Sequence, residues 1–334
     1  MKKIFVIYTG GTICTTLKDG KISIDPTAAA ALTTLYKKRQ DALPDIEFKD
    51  GRFFGILSEN MTVENWNIIT NYLMETLPTL SGFDGVIIAH GTDTFAFSDA
   101  LLSQLLKGFS LPVFLVSSNK SIINPDGSPN PLANGVDNFA AAVSLINNGI
   151  KPDVYAPYKN SDGKTYLHKG ENLKQCEIYS DDFYSRDMVD MSKALPSADN
   201  DHCSAQTPAL FELKKPLKDC VLKIDPYVGL NYSRISLEGV KAVLHTTYHS
   251  GTACVDGAQK DEASDCSVLS LIDRCQKQNI PFYFAPAKRG EEQSVYATVP
   301  NIEHRTAYGE APAFCYGDTV ETLYAKLIIE YSQK

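Results

Sequence analysis

Long apolar runs and blocks of like charge are both missing from this 334-residue sequence. No stretch approaches the roughly 20 apolar residues of a membrane-spanning helix, and the apolar run after Met1-Lys2-Lys3 is too short for a signal-peptide core. The net charge is −8, and no five consecutive residues carry charge of one sign. These absences argue against a membrane protein and against a surface for nucleic acid or anionic lipid, and they predict a cytoplasmic location.

Paired cysteines and clustered metal ligands are missing as well. The eight cysteines are scattered without a C-x-x-C pair, which favours free thiols over a zinc site or a disulfide framework. Two of the six histidines, His245 and His249, are close together, but no acidic or thiol ligands at metal spacing surround them. The sequence therefore predicts no metal site and no other cofactor.

Short apolar runs alternate with helical patterns along the chain, and this alternation is typical of an α/β fold. A larger N-terminal domain is predicted, with a mostly parallel sheet flanked by helices. Its strands are expected at 4–8, 53–57, 85–89, 111–116 and 153–156.

A change of composition divides the sequence. Between about residues 190 and 218, Ser, Asp, Asn, Pro and Lys dominate with little periodicity. This change predicts a catalytic N-terminal domain over 1–190, a linker over 191–219 and a smaller α/β domain over 220–334.

Three of the predicted strands end in small polar residues. Gly10-Gly11 breaks the first strand before Thr12, Ser58 follows the second strand, and Thr92 with Asp93 follows the third. Ligands of open α/β sheets bind at the carboxyl ends of strands, so these ends share one crevice if the strands are parallel neighbours. Thr12 could serve there as a nucleophile or a ligand. The structural alternative is a tight turn whose threonine caps the next segment.

A threonine hydroxyl is a weak nucleophile at neutral pH and needs a neighbouring base, such as a lysine whose pKa is lowered. The sequence has no G-x-S-x-G elbow and no convincing Ser/His/Asp order. His90 follows a predicted strand directly, but a packing or hydrogen-bonding role is favoured for it over that of a general base. Lys174, taken alone, is typical of a solvated surface lysine.

Two motifs resemble those of a known family. Thr9-Gly10-Gly11-Thr12-Ile13 and, about eighty residues later, His90-Gly91-Thr92-Asp93-Thr94 are similar to paired motifs of the bacterial-type L-asparaginases and glutaminase-asparaginases, most like the cytoplasmic type I enzymes. Ser58-Glu59-Asn60-Met61 falls where the family carries a Ser-x-Asn/Asp-Met segment. Lys174 lies near the position of the family's catalytic lysine. The resemblance is clear to about residue 180 and diffuse beyond it.

The resemblance implies hydrolysis of the side-chain amide of L-asparagine to L-aspartate and ammonia, with mixed glutaminase-asparaginase specificity as an alternative. Thr12 would attack the amide carbonyl to give an acyl-enzyme. Thr92, Asp93 and Lys174 would form a second triad that moves protons and activates water. The family also implies a homotetramer, built as a dimer of dimers, without nucleic-acid or membrane partners.

Substrate binding would fall, by the same resemblance, to Ser58 for the α-carboxylate, to Asp93 with Glu59 for the α-ammonium, and to Thr92 beside the amide. Position 59 is often Gln in periplasmic relatives. Many relatives also have a tyrosine after the first motif that helps to activate the first threonine, whereas residues 18–23 contain none. This departure keeps open a non-catalytic asparagine-binding regulatory protein on the same scaffold.

A third interpretation is the amidase component of an amidotransferase that acts on charged transfer RNA. Such a protein would normally carry an extra amino-terminal domain, and only Met1-Lys2-Lys3 precede the first predicted strand. The free-standing amidohydrolase is therefore the favoured expectation.

Overall fold

Residues 1–18, 20–193, 213–256, 264–287, 296 and 298–334 are described by a computed structural model. They divide into two units, Met1–Lys214 and Lys215–Lys334. Most of the predicted linker at 191–219 lies outside the described residues, so the domain boundaries stay a prediction.

The first unit is built from alternating strands and helices. Its strands, in chain order, are β1 (Lys2–Gly10), β2 (Thr15–Lys18), β3 (Lys21–Ile24), β4 (Ile46–Ile56), β5 (Gly85–Ala89), β6 (Val113–Val116), β7 (Val154–Lys159), β8 (Thr165–Lys169), β9 (Leu173–Lys174), β10 (Tyr184–Ser185) and β11 (Val189–Asp190). Its helices are α1 (Pro26–Lys37), α2 (Val63–Thr76), α3 (Phe95–Leu105) and α4 (Gly135–Asn147).

A seven-stranded sheet forms the middle layer of this unit, in the order β11-β8-β7-β6-β5-β1-β4. The five strands from β7 to β4 run parallel. At the other edge, β8 pairs antiparallel with β7, and β11 pairs antiparallel with β8. Residues 4–10 of β1 are all buried, because a parallel strand with helices on both faces has no solvent side. The predicted mostly parallel sheet is confirmed.

Helices cover both faces of the sheet. Leu32 of α1 and Phe139 of α4 belong to the apolar cluster on one face, and Leu73 of α2 and Leu102 of α3 belong to the cluster on the other. The start of α2 is fixed locally, because the Thr62 hydroxyl accepts a hydrogen bond from the backbone N–H of Asn65.

The connection from β6 through α4 to β7 has the opposite hand from the one before it. The chain moves in the same direction along the sheet from β5 to β6 and from β6 to β7, yet α3 and α4 lie on opposite faces. Crossovers of one hand are strongly preferred, so one of these two connections has the rarer hand, and residues 117–134 are the loop that leads from β6 into α4 on the face opposite α3. Ser121 of this loop lies 2.8 Å, oxygen to oxygen, from Thr15, which places the loop beside the segment that follows Thr12.

The second unit is a smaller α/β structure, as expected. Its strands are β12 (Val221–Ile224), β13 (Ala242–His245), β14 (Phe282–Phe284) and β15 (Ala313–Phe314), and its described helices are α5 (Val268–Lys277), α6 (Thr298–Glu303) and α7 (Val320–Gln333). The four strands are parallel and paired in chain order. Among the described helices of both units, none is long and apolar enough to cross a membrane.

Candidate active site

Three polar strand ends lie side by side at the carboxyl edge of the large sheet. The first strand, β1, pairs in parallel with β4 on one side and with β5 on the other. Thr12, Ser58 and Thr92 therefore follow three adjacent strands. This is the arrangement that a shared crevice requires.

Two glycines allow these strand ends to touch. Gly11 has φ +74°, and a Cβ at this position would lie 2.0 Å from the Cα of Gly91. A Cβ on Gly91 would lie 2.4 Å from the Oγ of Ser58. Non-bonded carbon atoms prefer separations of about 3.5–4.0 Å, so only hydrogen fits at either position. Glycine at 11 and 91 thus brings all three segments into contact.

Thr12 begins a single 3-10 turn that ends at Cys14. The residue that precedes the turn is Gly11, and no side chain caps it. The capping role considered for Thr12 is therefore wrong, because Thr12 lies inside the turn. Its carbonyl accepts a hydrogen bond of 2.8 Å from the Thr15 hydroxyl, which fixes the backbone, and the residue is partly exposed at the strand end.

Ser58 and Asp93 form a reciprocal pair that joins the second and third strand ends. The buried Ser58 hydroxyl donates to Oδ2 of Asp93 at 2.9 Å and accepts from the Asp93 N–H at 3.3 Å. The Thr94 hydroxyl donates to the Ser58 carbonyl at 3.0 Å. Asp93 and Glu59 are both exposed.

Lys174 is exposed at the end of β9, where it pairs with Tyr184 of β10. The next residue, Gln175, ties this segment to the Thr92 turn, because its Nε2 donates to the Thr92 carbonyl at 2.8 Å. Its Oε1 accepts from the Ala96 N–H at 3.1 Å. Sequence reasoning missed Gln175, since one amide in a polar stretch has no periodicity to mark it.

His90 is buried and has the packing and hydrogen-bonding role that the sequence favoured. Its Nδ1 lies 2.8 Å from the Gly91 carbonyl, and because a carbonyl only accepts, Nδ1 carries the proton. Its Nε2 has no hydrogen-bond partner among the described residues. Burial lowers the His90 pKa to about 4, so the ring is neutral at pH 7.

Seven of the eight cysteines lie in the described part of the chain, and all seven are free thiols. Cys203 lies outside it. Within the same ranges, no group of three or more His, Cys, Asp or Glu side chains is placed to hold a metal ion.

Comparison with known protein families identifies the family of this chain. A family model described as "Asparaginase, N-terminal" matches residues 3–186, more than half of the chain. The chain belongs to the asparaginase family. The asparaginase match includes all three strand ends and the segment with Lys174 and Gln175.

Curated relatives of this asparaginase-family chain include subunits of glutamyl-tRNA(Gln) amidotransferases. The subunit from Methanosarcina barkeri is 28% identical over 177 residues, and the one from Aeropyrum pernix is 30% identical over 179 residues. Each alignment covers 52% of this chain and 39% of the relative. The aligned part is thus about two fifths of the length of these relatives.

Solved structures share the fold over nearly the whole chain. The L-asparaginase from Thermococcus kodakarensis matches with a TM-score of 0.69 at 19% identity, covering 99% of this chain and 93% of that one. L-asparaginase I from Vibrio cholerae matches with a TM-score of 0.66 at 19% identity, covering 100% and 93%. At such identities the likeness concerns the fold alone.

Proposed function

We propose that this protein hydrolyses L-asparagine to L-aspartate and ammonia through an acyl-enzyme on Thr12. One observation carries the proposal: Gly11 packs against Gly91, so Thr12 and Thr92 each follow a glycine that touches the other. Two hydroxyls on adjoining strand ends are suited to a planar amide between them. Membership of the asparaginase family supports the same chemistry.

In the proposed first step, the Thr12 oxygen bonds to the amide carbon and the carbon–nitrogen bond breaks. The hydroxyl proton leaves Thr12 and ends on the departing ammonia. Backbone N–H groups would stabilise the oxyanion. The Gly11 N–H already donates to the Ile56 carbonyl at 2.9 Å, so the donors we propose are the N–H groups of Thr12 and Thr92.

The second step returns the acyl group to water. Lys174, with Thr92 and Asp93, is the proposed set of groups that removes a proton from the water. The water oxygen bonds to the acyl carbon, the ester bond to Thr12 breaks, the proton taken from the water passes to the Thr12 oxygen, and aspartate leaves.

Substrate binding is proposed to redirect the pair of Ser58 and Asp93. The Ser58 hydroxyl, which now donates to Asp93, would donate to the substrate α-carboxylate. The exposed carboxylates of Asp93 and Glu59 would bind the α-ammonium.

A homotetramer in the cytoplasm is part of the same proposal, and light scattering on the purified protein tests the assembly.

Ammonia release from L-asparagine and from L-glutamine tests the proposal. Thr12→Ala should lower kcat/KM for asparagine at least about 10³-fold, because the nucleophile is removed, and Thr92→Val should lower kcat by a similar factor, because release of the acyl group is impaired. Thr79→Ala is the control, because Thr79 is exposed and its hydroxyl bonds only locally, to the Thr76 carbonyl.

Two results would contradict the preferred interpretation. A glutamine kcat/KM equal to or above that for asparagine favours the mixed-specificity alternative. Tight asparagine binding without ammonia release favours a non-catalytic regulatory protein.

A second candidate is the amidase part of a transfer-RNA-dependent amidotransferase. It is favoured by the named relatives, which are amidotransferase subunits. Ammonia release that depends on glutamyl-tRNA(Gln) and a partner protein would support it. Full asparagine turnover by the purified chain alone would speak against it.

A further inference from the structure

We propose that Gln175 is a positioning residue that sets the geometry between Lys174 and the Thr92 turn. This inference rests on the proposed hydrolysis of asparagine. The Gln175 amide bonds to two backbone groups of one turn, donating to the Thr92 carbonyl at 2.8 Å and accepting from the Ala96 N–H at 3.1 Å. The side-chain N–H and C=O of Gln175 are both hydrogen-bonded to this turn. An ionised carboxylate has no N–H or O–H to donate, and a hydrocarbon can make neither bond, so the turn favours an amide.

The start of α3 explains why such a residue is needed. The first N–H groups of a helix lack partners within the helix, and α1 and α2 use their own N-cap side chains, Asp25 and Thr62, to supply one. The N-cap of α3, Thr94, makes no such bond. Its hydroxyl donates instead to the Ser58 carbonyl at 3.0 Å. Gln175 lies about eighty residues away in sequence, and its Oε1 accepts the hydrogen bond from the Ala96 N–H that the N-cap side chain does not accept.

Lys174 is thereby held between two anchors. On one side, Leu173 is fully buried in the apolar cluster under α2 and α3. On the other side, Gln175 is bonded to the Thr92 turn. The Lys174 side chain is exposed. The position of its backbone, which the two neighbouring residues fix, therefore determines the point from which the side chain extends. Loss of the Gln175 bonds would let the Lys174 segment and the Thr92 turn shift independently.

Gln175→Met is the central test, because methionine has similar length and no charge but can make neither bond. A shift of about 1 Å between reacting groups can cost about 10²-fold in rate. We expect kcat for asparagine to fall 10- to 100-fold while KM stays within about twofold, since the reciprocal bonds between Ser58 and Asp93 still hold the proposed binding groups together. Glu177→Gln, an exposed position two residues away, is the matched control and should retain the parent kcat.

Gln175→Glu adds a readout that a purely structural role would not affect. A protonated glutamic acid offers one donor and one acceptor, as glutamine does, whereas the ionised form repels the Thr92 carbonyl. The kcat of this variant relative to the parent should therefore rise toward one as the pH falls through the pKa of the new carboxyl. A ratio that stays constant with pH, or a Gln175→Met enzyme with the parent kcat, would overturn the proposal.

Hydrogen exchange separates this inference from the proposed function. In Gln175→Met, the peptide that contains Ala96 should exchange faster than in the parent, while the peptide of β1 should be unchanged. If the parent releases no ammonia, the proposed function fails, and the exchange rates still decide whether Gln175 holds the turn. Unchanged exchange at Ala96 would overturn the proposal whether or not the parent is active.

Discussion

The contact between Gly11 and Gly91 predicts that one added methyl group at position 11 disrupts the site. Gly11→Ala carries two separate costs. A non-glycine residue at φ +74°, ψ −176° lies in a backbone region that essentially only glycine occupies, and loses about 1–3 kcal/mol of stability. The new Cβ would also lie 2.0 Å from the Gly91 Cα, and overpacking of this kind costs typically about 1–3 kcal/mol.

Gly149→Ala is a control that has a similar positive φ but no crowding. Gly149 has φ +72°, and a Cβ there meets no atom within 4 Å. It should therefore lose only the cost of a positive φ, roughly 1–2 kcal/mol, whereas Gly11→Ala should lose about 2–6 kcal/mol in total. Urea unfolding of the parent and of both variants measures the difference in free energy of unfolding.

The two variants should differ more in kcat than in free energy of unfolding. To relieve the overlap, the strand ends that carry Thr12 and Thr92 must move apart by more than about 1 Å, because carbon atoms settle at about 3.5–4.0 Å. A displacement of that size can lower kcat by about 10²-fold. Gly149→Ala should keep the parent kcat. Equal stability and equal kcat in Gly11→Ala and Gly149→Ala would refute the inferred contact.

Two further predictions concern buried ionisable groups. Neither carboxyl oxygen of the fully buried Asp99 has a hydrogen-bond partner among the described residues, and burial raises its pKa well above the usual 3.8. The folded state keeps this proton after the unfolded state has lost it. The free energy of unfolding should thus fall as pH rises above about 4, by up to about 1.4 kcal/mol per pH unit. Asp99→Asn should remove that slope and be the more stable protein at pH 7 in urea unfolding, and a parent slope retained in the variant would contradict this. The pKa of His90 is shifted the other way, from 6.5 to about 4, so the unfolded state binds the proton first and stability should be lost as pH falls from 6.5 to 4. This loss amounts to about 3 kcal/mol, and His90→Gln, which cannot ionise, should lack it when thermal or urea unfolding is compared across that range.

Much of the large sheet was predictable because its central strands are continuous apolar runs. The predicted strand at 85–89 coincides with β5, since a strand buried on both faces has no polar position to interrupt the pattern. The first half of β4 escaped prediction. It is an edge strand with exposed Glu47 and Lys49, and its polar face hides the apolar alternation.

The candidate site also has a part that could be predicted from the sequence and a part that could not. Glycines and hydroxyls directly after apolar runs marked Thr12, Ser58 and Thr92, because chain direction alone brings parallel strand ends together. The bonds from Gln175 to Thr92 and Ala96 join positions about eighty residues apart. No local period encodes such a contact, so only the folded chain reveals it.

The acyl-enzyme on Thr12 is the central claim, and the Thr92→Val variant tests it most directly. In this variant Thr12 can still attack, but the water-activating group is incomplete, so the intermediate should accumulate. After incubation with L-asparagine and an acid quench, peptide mass spectrometry should find one aspartyl group, esterified to Thr12. An unmodified Thr12, or an aspartyl group on any other residue, would contradict the account.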